Sequence, residues 1–425
     1  MRRHFIAILA FLLIGLSAYS QLVSSATVIH AGLLIDGTGS EPSEEMSIIV
    51  HDGLIRSIET GFITPGPEDE YIDLGGYTII PGLMDMHVHL ASEYSSKSYL
   101  ERISLNEADY AIRAVVNAKK TLLAGFTTVR NVGAGNFADV ALKQAINRNA
   151  ILGPTMLVSG PALGITGGHC DSNILPFDYK YTSQGVADGP WEVRKKVRLN
   201  RKYGADLIKF CGTGGVMSKN TDVNAKQYTL EEMQAIVDEA HNHGMKVATH
   251  AHGLIGIKTA IIAGVDSIEH ASFIDNETIE LAKEKGTFLS MDIYVSDYIL
   301  GEGAAKGILE ESLEKERSVG KFQRQNFQKA VKASAKITFG TDAGIYPHGK
   351  NARQFKYMVE WGMTSLQAIQ AATINTAELF GLSNTGMIKK NYEADIIGVK
   401  GNPLKDITIL ENVSFVMKDG IIVKP

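Results

Sequence analysis

Two histidines stand two apart at the end of an apolar run, His87-Val88-His89. On an extended strand, residues i and i+2 point the same way, so both imidazoles aim at one spot. That geometry suits a shared metal ion, because neutral imidazole ligates borderline divalent cations. Other strand-like runs end in groups of the same chemistry: Thr249-His250, Glu269-His270 and Thr341-Asp342. Lys209 interrupts a further apolar run, residues 205–210. Imidazoles with a carboxylate suit zinc. Each residue has an ordinary alternative. His250 fits a satisfied core histidine, His270 a partner of Glu269, Asp342 a helix N-cap, and Lys209 a lysine neutralised by a nearby acid. Their joint occurrence is what specifies a site.

Lys209 needs a separate argument. An ammonium cannot ligate a cation, but burial in a strand disfavours the charged form. A neutral amine can take up carbon dioxide as a carbamate, whose two oxygens can bridge two metal ions. The residues supply the lysine; the carbamate is an expectation.

The elements that must position these groups read as a strand–helix alternation. The His87 strand is followed by seven more: residues 127–131, 156–159, 207–210, 246–250, 267–270, 287–290 and 337–341. Amphipathic helical stretches separate them, with stops at Gly244, Gly264 and Gly286. Eight βα units predict an α/β fold, a (β/α)8 TIM barrel with its chemistry at the C-terminal strand ends. Residues 160–188 and 291–320 read as mouth loops or lids. The two ends of the chain read differently. Short β-rich runs with Asp-Gly turns fill 27–80 and 394–423. They predict one small β-sandwich built from both ends: N-terminal part 21–80, barrel 81–385, C-terminal part 386–425.

Residues 1–20 carry Arg2 and Arg3, then the apolar run 5–16, then Ala18-Tyr19-Ser20. This is the pattern of a secretory signal peptide cleaved after Ser20, and it predicts a secreted or periplasmic protein. The run is shorter than the roughly 20 residues a spanning helix needs, so no stable membrane insertion is expected after cleavage. The net charge of −5 becomes −7 without Arg2 and Arg3, which argues against nucleic acid as a partner. A homo-oligomer is compatible with the sequence. Export permits one bond between the two cysteines, Cys170 and Cys211; two free buried thiols are the other reading.

At this point the motifs resemble the amidohydrolase superfamily over essentially the whole mature length. Pro81-Gly82-Leu83-Met84-Asp85-Met86-His87-Val88-His89 is similar to that family's first motif. So are Gly125-Phe126-Thr127-Thr128-Val129-Arg130, Ile165-Thr166-Gly167-Gly168-His169, Thr249-His250-Ala251-His252-Gly253, Ile268-Glu269-His270 and Gly340-Thr341-Asp342-Ala343. Asn131 departs from a common Arg-Asp-x-Gly pattern, at a position not expected to touch metal. Within the superfamily the chain looks most like metallo-dipeptidases and carboxypeptidases, above all the zinc-dependent arginine carboxypeptidases.

The resemblance implies a binuclear site of His87, His89, Lys209, His250, His270 and Asp342, with Lys209 carboxylated and two divalent ions, zinc expected, sharing a bridging hydroxide. Asp342 would move the proton, His252 would stabilise the oxyanion, and His169, Tyr228 and His252 would contact substrate. The expected reaction is hydrolysis of the amide bond before a C-terminal amino acid, Arg or Lys first, on a small peptide or N-acyl amino acid. A basic residue needs an acidic pocket, for which Asp171, Asp222 and Asp292 lie in the mouth loops. The alternative is an Xaa-Pro dipeptidase, or another amide or lactone hydrolase on the same site. A solute-binding protein with a structural metal is disfavoured, because it needs neither a proton shuttle nor a bridging carbamate.

Overall fold

The computed structural model describes residues 25–425; the segment read as an export signal lies outside them. Chain order gives β1 (Thr27–Leu34), β2 (Ser43–His51), β3 (Leu54–Thr60), β4 (Glu70–Pro81), β5 (Leu83–Val88), β6 (Phe126–Asn131), β7 (Thr155–Val158) and β8 (Leu207–Cys211). It continues with β9 (Lys246–Ala251), β10 (Ser267–His270), β11 (Phe288–Ser290), β12 (Ile337–Thr338), β13 (Ile396–Lys400), β14 (Phe415–Lys418) and β15 (Ile421–Lys424).

Strands β5 to β12 form the barrel-like core as two parallel arcs, β5-β6-β7 and β12-β11-β10-β9-β8. Every residue of β5, β6, β8 and β10 is buried. Parallel strands covered on both faces need such continuous burial. The arcs meet at single bridges, Leu163 with Phe210 and Val88 with Ala343. Backbone bonds from Asp206 to Val158 (2.8 Å) and from Met86 to Phe339 (2.8 Å) help close the ring. Helices between the strands are capped as the sequence suggests. Thr229 and Glu232 form a capping box ahead of Leu230–Asn242, and Gly264 and Gly286 end their helices in the left-handed region. Among the described residues no helix is long and apolar enough to cross a membrane.

The structure corrects two expectations. Residues 291–320 are not a loop: helices Val295–Glu302 and Glu310–Lys332 occupy most of them. The second starts at Glu310, inside the segment read as a loop. Its buried face mixes Leu313 and Val319 with Ser312, Glu316, Gln323 and Asn326, so polar residues break the apolar periodicity that would reveal it. The small unit, expected as a sandwich, is one continuous mixed sheet, β15-β14-β13-β4-β1-β2-β3. The long strand β4 joins its halves, pairing β1 along residues 70–79 and β13 along 77–81. The sheet curls until its two turns meet. A Cβ on Gly420 would lie 2.8 Å from the Gly53 Cα, and residues from both halves share one core cluster, among them Ile48, Ile55, Phe415 and Met417. Strand β4 runs straight into β5 through Gly82, where a Cβ would strike Thr127 at 2.2 Å. The first histidine pair is therefore anchored to both units.

Candidate active site

Six of the predicted groups reach one cavity of roughly 790 Å³ at the C-terminal strand ends: His87, His89, Lys209, His250, His270 and Asp342. Strand β5 delivers His87 and its neighbour His89, with ring centroids 5.4 Å apart. Asp342 Oδ1 lies 3.5 Å from His87 Nε2 and 3.3 Å from His89 Nε2. From β9 and β10, the His250 and His270 rings approach to 4.5 Å. The potential ligand atoms of His250, His252 and His270 lie within 4.8 Å of one another, and those of His87, His270 and Asp342 do likewise. His270 thus belongs to both groups. His270 (φ +70°), Ala271 (+49°) and Asp342 (+55°) all sit in the left-handed region, a strain that persists only where the surroundings enforce it.

Partners outside the predicted set fix these rings. Asp292 Oδ1 lies 2.9 Å from His270 Nδ1 and also accepts from the Gln323 amide at 2.7 Å. Ser272 Oγ is 2.8 Å from His252 Nδ1, and Ser218 Oγ is 2.8 Å from His169 Nδ1. Glu269 Oε2 lies 3.2 Å from His87 Nδ1, within ion-pair reach but off the angle of a good hydrogen bond, so neither atom is otherwise satisfied. Below the site Arg130 donates to Glu269 Oε1 at 2.6 Å and to Ser267 Oγ at 2.8 Å. His348 meets the carbonyls of His89 (3.2 Å) and Ser92 (3.0 Å). Arg130, Glu269 and Asp292 stand out in the sequence, and His348 falls in the last mouth loop; Ser218, Ser267, Ser272 and Gln323 do not stand out. Most come from loops or from the long helix, where no strand-end position marks them.

His169 reaches the site, its ring 4.1 Å from that of His250. Tyr228 does not, which corrects its reading as a substrate contact. It is fully buried, donates to the Ala187 carbonyl at 3.1 Å and packs its edge on Phe210. The two cysteines are bonded, Cys170 to Cys211 with Cα atoms 5.8 Å apart, which ties the His169 loop to the end of β8. Each of the three candidate acids already has hydrogen-bond partners. Asp292 serves His270, Asp171 accepts backbone N–H groups of Gly167, Ser172 and Ser183, and Asp222 accepts from Asn224 and stands off the cavity.

Electrostatics fit this set to a cation. Burial lowers His87 to about 4 and His169 to about 3, and holds His250 and His252 well below the usual range. These four imidazoles are therefore neutral and can offer lone pairs to a cation, whereas at His270 burial is outweighed by the Asp292 carboxylate, which raises the ring above its usual range. Burial works against the Asp342 charge, yet His87, His89 and His270 outweigh it and hold the carboxyl below its usual range. Burial, opposed by Glu269, brings Lys209 down to about 8.

The same shifts fix a sign for acid stability. Burial also lowers His348 to about 4. Between an unfolded value of about 6.5 and these depressed values, the unfolded chain binds more protons than the folded one. The contribution of these rings is then complete above pH about 6.5 and is lost as pH drops towards about 4, opposed in part by the buried carboxyls of Asp85 and Glu316, raised to about 7, and Asp139, raised to about 6. Melting of metal-free protein across that range should show a net decline towards acid pH; stability that rises as pH falls would mean these rings are not buried neutral.

Imidazoles and carboxylates gathered at the mouth of a βα barrel make the kind of site that metal-dependent hydrolases build. The model of the amidohydrolase family matches residues 78–423. The chain belongs to that family, a superfamily of hydrolases that generally use divalent metals. The ochratoxinase of Aspergillus niger is 34% identical over 428 residues, covering 94% of this chain and 87% of its own. A solved Xaa-Pro dipeptidase with methionine bound in its active site is 43% identical, with a TM-score of 0.90 over 94% of this chain and 100% of that one. A prolidase complexed with N-methylphosphonate-L-proline gives 29% identity and a TM-score of 0.86, over 94% of this chain and 100% of that one. These relatives do not single out the arginine carboxypeptidases that the motifs suggested.

Proposed function

We propose that the protein hydrolyses the amide bond of a dipeptide or N-acyl amino acid and releases the C-terminal amino acid, with Xaa-Pro the first substrate class to test. The observation that carries this reading is the convergence of His87, His89, His250 and His270 with Lys209 and Asp342 on one cavity. The relatives support an amide substrate over a specifically basic one, as does the engagement of Asp171, Asp222 and Asp292. In this reading His87, His89, Lys209, His250, His270 and Asp342 hold two divalent ions, zinc expected, with Lys209 as its carbamate. When bound, such ions polarise a carbonyl and acidify water near neutral pH.

The chain's own residues do the rest. Asp342 takes the proton of the attacking water and passes it to the leaving amine. With Ser272 donating to its Nδ1, His252 carries its proton on Nε2 and can donate to the developing oxyanion. His169, held by Ser218, stands beside His250 and faces the substrate. A secreted or periplasmic location belongs to the same proposal; it rests on residues 1–20 and agrees with the Cys170–Cys211 bond.

A dipeptide and N-acyl amino-acid panel tests it. Metal-replete protein should turn over at least one amide, lose that activity with a chelator, and regain it with zinc. Turnover indifferent to the chelator, or none on any amide, would sink the proposal. Intact mass before and after acidification would report the carbamate at Lys209.

A further inference from the structure

One buried acid on the cavity wall has, among the described residues, neither a counter-ion nor a backbone N–H donor. Glu316, on the helix Glu310–Lys332, lines the same cavity as the histidines and is 3% exposed. Its Oε1 accepts a hydrogen bond from Ser296 Oγ. Among the described residues no cation lies within ion-pair distance of it. The other cavity acids are all engaged or in water. Glu93 pairs with Lys120 at 3.1 Å and Glu101 with Arg113 at 2.8 Å. Glu107 is exposed and accepts from Asn136. Asp171, Asp292 and Asp342 are committed as described above. Cations on the same helix are also taken: Lys315 by Glu311 at 2.9 Å, Arg317 by Glu310 at 2.7 Å and Arg324 by Asp297 at 2.6 Å.

The pocket around Glu316 is shaped for the carboxylate. One turn along the helix stands Gly320, a residue that helix interiors disfavour. A Cβ there would lie 2.5 Å from Ser296 Oγ and 2.9 Å from Glu316 Oε1. Glycine therefore makes room for the Glu316–Ser296 pair. Val295 and Ile299 line the wall beside it. A buried carboxyl with one hydroxyl donor and no cation is costly to charge. Burial accordingly raises it to about 7, and an incoming cation would restore its charge.

We infer that Glu316 is the anionic contact for a positively charged group on the substrate. Two parts of a dipeptide could carry that charge, the free N-terminal ammonium or a lysine or arginine side chain. The inference rests on the hydrolase reading above and adds what the site selects.

Matched substrates test it on metal-replete enzyme: Ala-Pro against N-acetyl-Ala-Pro, and Ala-Lys against Ala-norleucine. The wild type should favour the charged member of one pair by about tenfold or more in kcat/KM, the effect of one hydrogen bond to a charged group. In Glu316→Gln that ratio should collapse towards one. Collapse in the first pair assigns the N-terminus; collapse in the second assigns the side chain. Ser296→Ala keeps the carboxylate and should keep the ratio. A wild type that does not discriminate in either pair overturns the inference whether or not the variant folds. So does a Glu316→Gln enzyme that slows on all four substrates equally, which would make Glu316 only part of the wall. If no amide is hydrolysed at all, the hydrolase reading falls and takes this inference with it.

Discussion

Replacing Asp342 with asparagine is expected to lower kcat for amide hydrolysis by about 10²- to 10⁴-fold, the range that positioned acid–base catalysis contributes. Asparagine has nearly the same shape, so the strand end should keep its fold. It cannot accept the proton from the attacking water or return it to the leaving amine. The Asp342 carboxyl lies below its usual range in the resting site, which suits a group that begins the cycle as a base. The measurement is steady-state turnover on the best amide substrate, with bound metal quantified in the same samples. Wild-type activity in a variant that retains its metal would remove Asp342 from the proposed mechanism. Lost activity together with lost metal would instead make it chiefly a ligand.

Replacing Arg130 with leucine should have the largest effect on stability. Arg130 and Glu269 are 1% and 0% exposed and pair at 2.6 Å inside the barrel. Arg130 Nε also donates to the Met86 carbonyl, in the strand that carries His87. Removing the guanidinium strands a buried carboxylate, which costs about 3–5 kcal/mol. The same change frees Glu269 to tilt against His87. The expected result is a lower urea midpoint for the metal-free protein, and weaker metal binding beyond what that loss explains. The double variant Arg130→Leu/Glu269→Leu should recover part of the stability, because neither charge is then left alone. A single variant as stable as wild type would show that water reaches Glu269.

The strand-end residues were legible because a strand fixes where its last side chains point. His87, His89, His250, His252, His270 and Asp342 each follow an apolar run, and alternation puts them at the mouth. Residues that enter from elsewhere carry no such mark. Ser218 and Ser272 are ordinary loop serines until the fold brings them within 2.8 Å of His169 and His252. Gln323 is one glutamine in a charge-rich helix, and only its contact with Asp292 gives it a part in the site. Tyr228 failed for a related reason. Its neighbourhood in the chain is the mouth, but the loop 160–188 folds over it, and the Ala187 carbonyl takes its hydroxyl. The fold divides the same way. Parallel core strands are buried along their length and announce themselves. The helix Glu310–Lys332 hides its inner face behind Glu316, Gln323 and Asn326, and the first of these lines the cavity.

Strand β4 has a consequence for how the molecule comes into being. One partner, β1, is made just before it, but the other, β13, is made some three hundred residues later, as the Thr78 hydroxyl bonded to the Gly401 carbonyl across 323 positions records. The ribosome therefore produces the His87–His89 strand while the sheet behind it still has an open edge. Closure must wait for nearly the whole polypeptide, so assembly is dominated by distant pairing and is expected to be slow.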